Sequence, residues 1–207
     1  MRVLHALSQR PSLTGSGITL EAMVRHAEDA GHEQQVVVGV PADDPQPAVG
    51  GLDPIQISPL VFGRPPLDFA VPGMSDVMPY PSTRFAELTE RQVDAYGRAW
   101  ANHLRPILSD FKPDLIHSHH LWLMSAVLKE IAPDTPVLTQ CHATGLRQME
   151  LCPHLASQVR VGCSRIDAFA VLYQGHADDL ARHLGIGADR IHRVGAGYRA
   201  PLHYGRG

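Results

Sequence analysis

Two apolar runs of this chain end in clustered histidines, and those histidines could do chemistry. Asp114-Leu115-Ile116-His117-Ser118-His119-His120 is the first run, and Pro136-Val137-Leu138-Thr139-Gln140-Cys141-His142-Ala143-Thr144-Gly145 is the second. Imidazoles can hydrogen-bond a ligand, move a proton or ligate a metal at ordinary pH. A third candidate is Gly15-Ser16-Gly17, where backbone amides ahead of a helix could face an anion such as a phosphate.

The two histidine runs read as parallel strands joined by a helix over residues 121–131, so their carboxyl ends open on one edge of a sheet. Ligands of open α/β sheets bind at that edge. The topology therefore brings His117, His119 or His120, and His142 to one crevice, with His117 and His119 on one strand face and His120 beginning the helix.

The flanking chain sustains the same alternation. A first strand over 3–7 leads through Thr14-Gly15-Ser16-Gly17 into a helix with Leu20, Met23, Val24 and Ala27 on one face, stopped by Gly31. A β-branched strand follows over 34–40. From Pro41 to Pro81 only Ile55 to Ser58 suggests a strand, within an excursion long enough to shape a site. Ser82 or Thr83 is expected to cap a long helix carrying Phe85, Leu88, Tyr96, Trp100, Leu104, Ile107, Leu108 and Phe111 toward the core, with Pro106 kinking it. Pro153 starts another helix. Strands over 167–172 and 190–194 enclose a last one that Gly185 stops, and Gly195-Ala196-Gly197-Tyr198 turns away. The predicted class is α/β, a single Rossmann-like domain whose parallel sheet carries helices on both faces.

At 207 residues the chain can bury a substantial core. A formal charge of -3 and the lack of any long basic run argue against nucleic acid. No apolar stretch approaches the ~20 residues of a membrane span, and three cysteines fit a reducing compartment. A cytoplasmic location is expected, with peripheral membrane association left open.

Several chemistries are excluded by spacing. A dinucleotide fingerprint would need a third glycine where Leu20 stands and an acid where Val40 and Pro41 stand. There is no P-loop and no Gly-x-Ser-x-Gly elbow. Cys141, Cys152 and Cys163 lack the close pairing of structural zinc ligands and are expected to be buried free thiols. Zinc on the histidine crevice stays a minor alternative, and no metal is expected.

In order and spacing these pieces resemble the amino-terminal domain of a family 4 retaining glycosyltransferase of the type B, two-Rossmann-domain fold. The residues that carry the resemblance are Met1-Arg2-Val3-Leu4 with the Gly15-Ser16-Gly17 loop, Ala30-Gly31-His32-Glu33, the His117-Ser118-His119 strand end, Thr139-Gln140-Cys141-His142, Ala168-Phe169-Ala170-Val171-Leu172, and Ile191 through Tyr198. The resemblance implies residues 1–197 as an acceptor-side domain and 198–207 as the start of an interdomain linker. It implies His142 at the reacting sugar, with Gly15, Ser16, Gly17, His119 and Thr144 contacting substrate. The implied reaction moves a hexosyl unit from a nucleotide-sugar donor to a glycan, lipid or small-molecule acceptor, without a metal or other cofactor. It also implies that a carboxy-terminal nucleotide-binding domain supplies most of the donor site, so the chain alone is expected to be inactive. The alternative is a freestanding Rossmann-like module that binds a phosphorylated or sugar ligand without catalysis.

Overall fold

The computed structural model describes residues 1–195. It begins with strand β1 (Arg2–Leu7), helix α1 (Gly15–Asp29) and strand β2 (Glu33–Pro41). Then come β3 (Ile57–Phe62), the two-residue strands β4 (Pro72–Gly73) and β5 (Thr83–Arg84), and the long helix α2 (Glu90–Phe111). The second half runs β6 (Leu115–His119), α3 (Leu123–Ile131), β7 (Val137–Gln140), α4 (Ala143–Leu151), α5 (Pro153–Cys163), β8 (Ala168–Val171), α6 (Gln174–Leu184) and β9 (Ile191–Arg193).

Seven strands form one parallel sheet in the order β3-β2-β1-β6-β7-β8-β9. The α/β, Rossmann-like expectation holds. β2 is buried on both faces, and its valines divide between two cores. Val36, Val38 and Val40 pack with Leu7, Leu20 and Val24 under α1, whereas Val37 joins the larger core with Phe62, Trp100 and Leu104 under α2. This two-sided covering is why the strand reads as a continuous apolar run.

The apolar stripe of α2 faces the core as expected: Tyr96, Trp100 and Leu104 are buried, and Phe62, Phe85, Tyr96 and Trp100 meet edge to face or tilted. The expected cap is corrected. Thr89 caps α2, its hydroxyl accepting from the Gln92 amide while the Gln92 side chain accepts from the Thr89 amide. Thr83 is held in β5 against Pro72, and Phe85–Glu87 is a separate 3-10 turn. α2 runs on through Pro106, which lies inside it.

Three further expectations shift. β3 begins at Ile57 and extends to Phe62, while Ile55 lies in a preceding 3-10 turn with its side chain exposed. Met23 is exposed, so the inner face of α1 rests on Leu20 and Val24. His120 does not begin α3. It has φ +72, in the left-handed region, three residues before the helix starts. The 197/198 boundary and the Gly195 to Tyr198 turn fall at or beyond the end of the described residues.

Candidate functional site at the carboxyl edge of the sheet

The strand order reverses direction between β1 and β6, because β2 and β3 lie to one side of that pair and β7 to β9 to the other. Such a switch point opens a crevice beyond the carboxyl ends of the two strands. A cleft of about 430 Å³ lies there, lined by Gln9 and residues of the loop after β1, by Met74, Ser75, Val77, Met78 and Pro79, and by His120, His142 and Thr144. Another hollow, of about 390 Å³, sits at the opposite edge among Met1, Arg2, Gly31, Glu33 and Asp114. It contains none of the histidines, so the chemistry belongs to the carboxyl edge.

The glycine segment forms the first turn of α1. Thr14 is the N-cap, its hydroxyl accepting from the Gly17 amide at 3.2 Å, which leaves the amides of Gly15 and Ser16 at the helix's open end. Gly15 and Ser16 line the cleft. Gly17 does not. A Cβ there would stand 2.4 Å from the Ser12 backbone nitrogen, so its glycine serves the packing of loop on helix.

A second helix, α4, starts at the same cleft, and sequence reasoning missed it. His142 is its N-cap without a side-chain capping bond, and Thr144 stands in its first turn. The buried pair Leu146 and Met149, three apart, was the available signal. Both helix amino termini bring partial positive charge to the cleft. Among the described residues no Asp, Glu, Lys or Arg lines the cleft, and Asp76, which belongs to the same outer segment, is paired with Arg147 at 3.6 Å.

The histidines form a chain through the sheet. His5 Nδ1 lies 3.3 Å from His117 Nδ1, the His117 and His119 ring centres are 4.7 Å apart, and His119 Nδ1 lies 3.4 Å from His142 Nε2. His5 is anchored in turn by Gln34 Oε1 at 3.1 Å. Only His142 and His120 reach the cleft. His119, expected to contact substrate, is fully buried behind His142 and is not among the residues lining the cleft. Burial is the main cause holding these imidazoles neutral: His142 drops to about 4, helped by nearby His176, His5 to about 4 and His117 to about 3, while His119 and His120 are also well below their ordinary value.

Two glutamines that sequence reasoning passed over shape the rest of the site. Gln9 Nε2 donates to Thr14 Oγ1 at 3.0 Å and to Ser16 Oγ at 2.8 Å, while its Oε1 accepts from the Met74 amide at 3.3 Å. Gln148 Nε2 donates to the Met74 carbonyl at 3.2 Å. Both peptide groups flanking the Met74 α-carbon are thereby pinned, and residues 74–79, from the long excursion after β3, become the outer wall of the cleft.

Among the described residues no three His, Cys, Asp or Glu side chains converge as a metal-ligand set. The three cysteines are free and buried, and burial pushes the Cys141 thiol up and the Cys163 thiol up to about 12, which leaves both unreactive. No helix among the described residues is long and apolar enough to cross a membrane.

Residues 14–197 match the model of the glycosyl transferase 4-like domain, which covers most of the chain. The chain belongs to that family. A search of curated proteins by sequence finds no match. Among solved structures, the domain superposes on sucrose-phosphate synthase from Thermosynechococcus elongatus with a TM-score of 0.62 and 12% identity, covering 94% of this chain and 48% of that one. It superposes on the UDP-GlcNAc 2-epimerase of Methanocaldococcus jannaschii, solved with UDP-GlcNAc and UDP, with a TM-score of 0.56 and 16% identity, covering 94% and 46%. The chain thus spans about half the length of these structures, and at such identity they establish the shared fold. It is a glycosyltransferase domain of one Rossmann-like unit, as the resemblance implied.

Proposed function

We propose that this glycosyltransferase domain is the acceptor-side half of a retaining enzyme that transfers a hexosyl unit from a nucleotide sugar. The observation that carries the reading is the meeting of two helix amino termini and two neutral imidazoles at one cleft that, among the described residues, has no charged side chain in its lining. In the transfer, the bond between the sugar's anomeric carbon and the diphosphate oxygen breaks. A bond from that carbon to an acceptor hydroxyl forms on the same face, and the hydroxyl proton passes to the departing phosphate oxygen. Charge grows on the leaving diphosphate, and preoriented amide dipoles stabilise it with no reorganisation at the moment of reaction.

His142 suits the position beside the reacting sugar. Its Nε2 is engaged by His119, which fixes the ring plane and leaves Nδ1 as its other polar atom. Because it stays neutral, it can hydrogen-bond a sugar hydroxyl without pairing with, and trapping, the leaving anion. Thr144 Oγ1 is buried without a partner among the described residues, a hydroxyl held in reserve for a ligand. The nucleotide would be held by a second domain, and the acceptor would be a glycan, a lipid or a small molecule. No metal is required, since the helix termini supply the positive field.

The test is transfer from a panel of nucleotide hexoses by the natural full-length polypeptide, with the anomeric configuration of the product read by NMR. Retained configuration is expected, together with a fall in kcat of at least about a hundredfold in His142→Ala at unchanged melting temperature. An inverted product, or a His142→Ala enzyme with wild-type kcat, overturns the assignment. Turnover by the 207-residue chain alone would overturn the need for a second domain.

A further inference from the structure

His120 is built in a way that packing alone does not explain. Its backbone is left-handed at φ +72, a conformation that costs a residue with a Cβ about 1 to 2 kcal/mol. That conformation is held from both sides: the His120 amide donates to the Gln140 carbonyl at 3.1 Å, and the Ser125 hydroxyl donates to the His120 carbonyl at 2.7 Å. Ser125 Oγ also lies 3.0 Å from Ser118 Oγ and accepts from that hydroxyl, which ties the arrangement to β6 and α3. The result of this restraint is an imidazole in the cleft wall, 3% exposed, its ring centre 4.8 Å from that of His142. Neither of its ring nitrogens has a hydrogen-bond partner among the described residues.

A buried imidazole with two unpaired nitrogens is costly, as is the strained backbone beneath it. Both costs fall on one residue, at the wall of the cleft onto which α1 and α4 open. We propose that His120 is a ligand-contact residue, whose ring N–H donates to an oxygen of a phosphoryl group seated on the amino termini of α1 and α4. The second ring nitrogen is then an acceptor for a hydroxyl next to that phosphoryl group, so the ligand class is a phosphorylated polyol or a sugar diphosphate. The inference rests on the reading of this cleft as the substrate site, and it assigns a residue that the glycine loop and His142 leave out.

The backbone conformation supplies the test, because glycine adopts φ +72 without strain and asparagine tolerates it. Inorganic pyrophosphate is titrated calorimetrically into the 207-residue chain at low salt, with the Gly15 and Ser16 amides followed by NMR. Wild type is expected to bind and to shift both amides. His120→Gly is expected to bind about tenfold more weakly or worse, as loss of a hydrogen bond to an anion implies, with a melting temperature unchanged or raised. His120→Asn is expected to recover at least part of that loss. Equal affinity in His120→Gly overturns the proposal, as does a lower melting temperature in both variants without any change in affinity. Failure of wild type to bind pyrophosphate overturns the phosphoryl seat itself, and the transferase reading would then still stand or fall on the transfer assay.

Discussion

At the scale of single residues, Gly15 and Gly17 share a motif but do different work. A Cβ on Gly15 meets nothing within 4 Å, whereas one on Gly17 would strike the backbone of Ser12 and Pro11. Backbone cannot swing aside as a flexible side chain can. Alanine ordinarily favours a helix over glycine by about 0.5 to 1 kcal/mol, yet Gly17→Ala should destabilise by about 1 to 3 kcal/mol through overpacking. Gly15→Ala should be neutral or slightly stabilising. Urea midpoints of the two variants decide this, and equal midpoints would mean that the Pro11–Ser12 segment does not pack on α1 as described. The role of each glycine was not legible in Gly-Ser-Gly, because the spacing announces a tight turn without saying what lies across from it.

Among the elements, α3 and α5 come closest at Gly162, where an added Cβ would lie 2.4 Å from the Cβ of Ala126. Two small residues let these helices approach. Gly162→Val should force them apart and cost about 1 to 3 kcal/mol, read as a lower thermal midpoint. An unchanged midpoint would show that the pair can separate freely. The long helix α2 shows where element boundaries escape the sequence. Its apolar stripe was plain, but Thr83 and Thr89 are both competent caps, and only the pairing of Thr83 with Pro72 decides between them. The helix α4 escaped for a related reason: Cys141-His142-Ala143 follows directly on a strand run, and the close approach of Gly145 to the Leu121 backbone is a contact between segments distant in sequence.

For the whole molecule, a chain of neutral histidines inside the sheet couples folding to pH. His5, His117, His119, His120 and His142 are all shifted down, chiefly by burial. The unfolded chain therefore binds protons first as pH falls. Stability is fully present above the ordinary histidine value of about 6.5 and is lost as pH drops toward about 4, where His5 and His142 titrate in the folded protein. In that window each such imidazole contributes a slope of about 1.4 kcal/mol per pH unit. Thermal melts from pH 7.5 to 4.5 should show a steep fall beginning near pH 6.5, and a flat profile would mean that these rings take up protons as readily in the folded chain as in the unfolded one.

The alternation of apolar runs with helical stripes determined the fold class, the parallel sheet and the edge at which a site would form, because strand and helix periods are local properties of the chain. His142, Gly15 and Ser16 were reachable in this way, since each sits at an element end that topology brings to the switch point, whereas Thr144, in the unforeseen helix α4, came only with the family resemblance. The tertiary structure alone decided which of the adjacent histidines meets the cleft. His119 and His120 are consecutive, yet one lies behind His142 and the other beside it, because a hydrogen bond to the Gln140 carbonyl and one from the Ser125 hydroxyl hold His120 in the left-handed region. Gln9 and Gln148 were invisible for the same reason: their partner is Met74, distant in sequence, and contacts of that kind carry no periodicity to read.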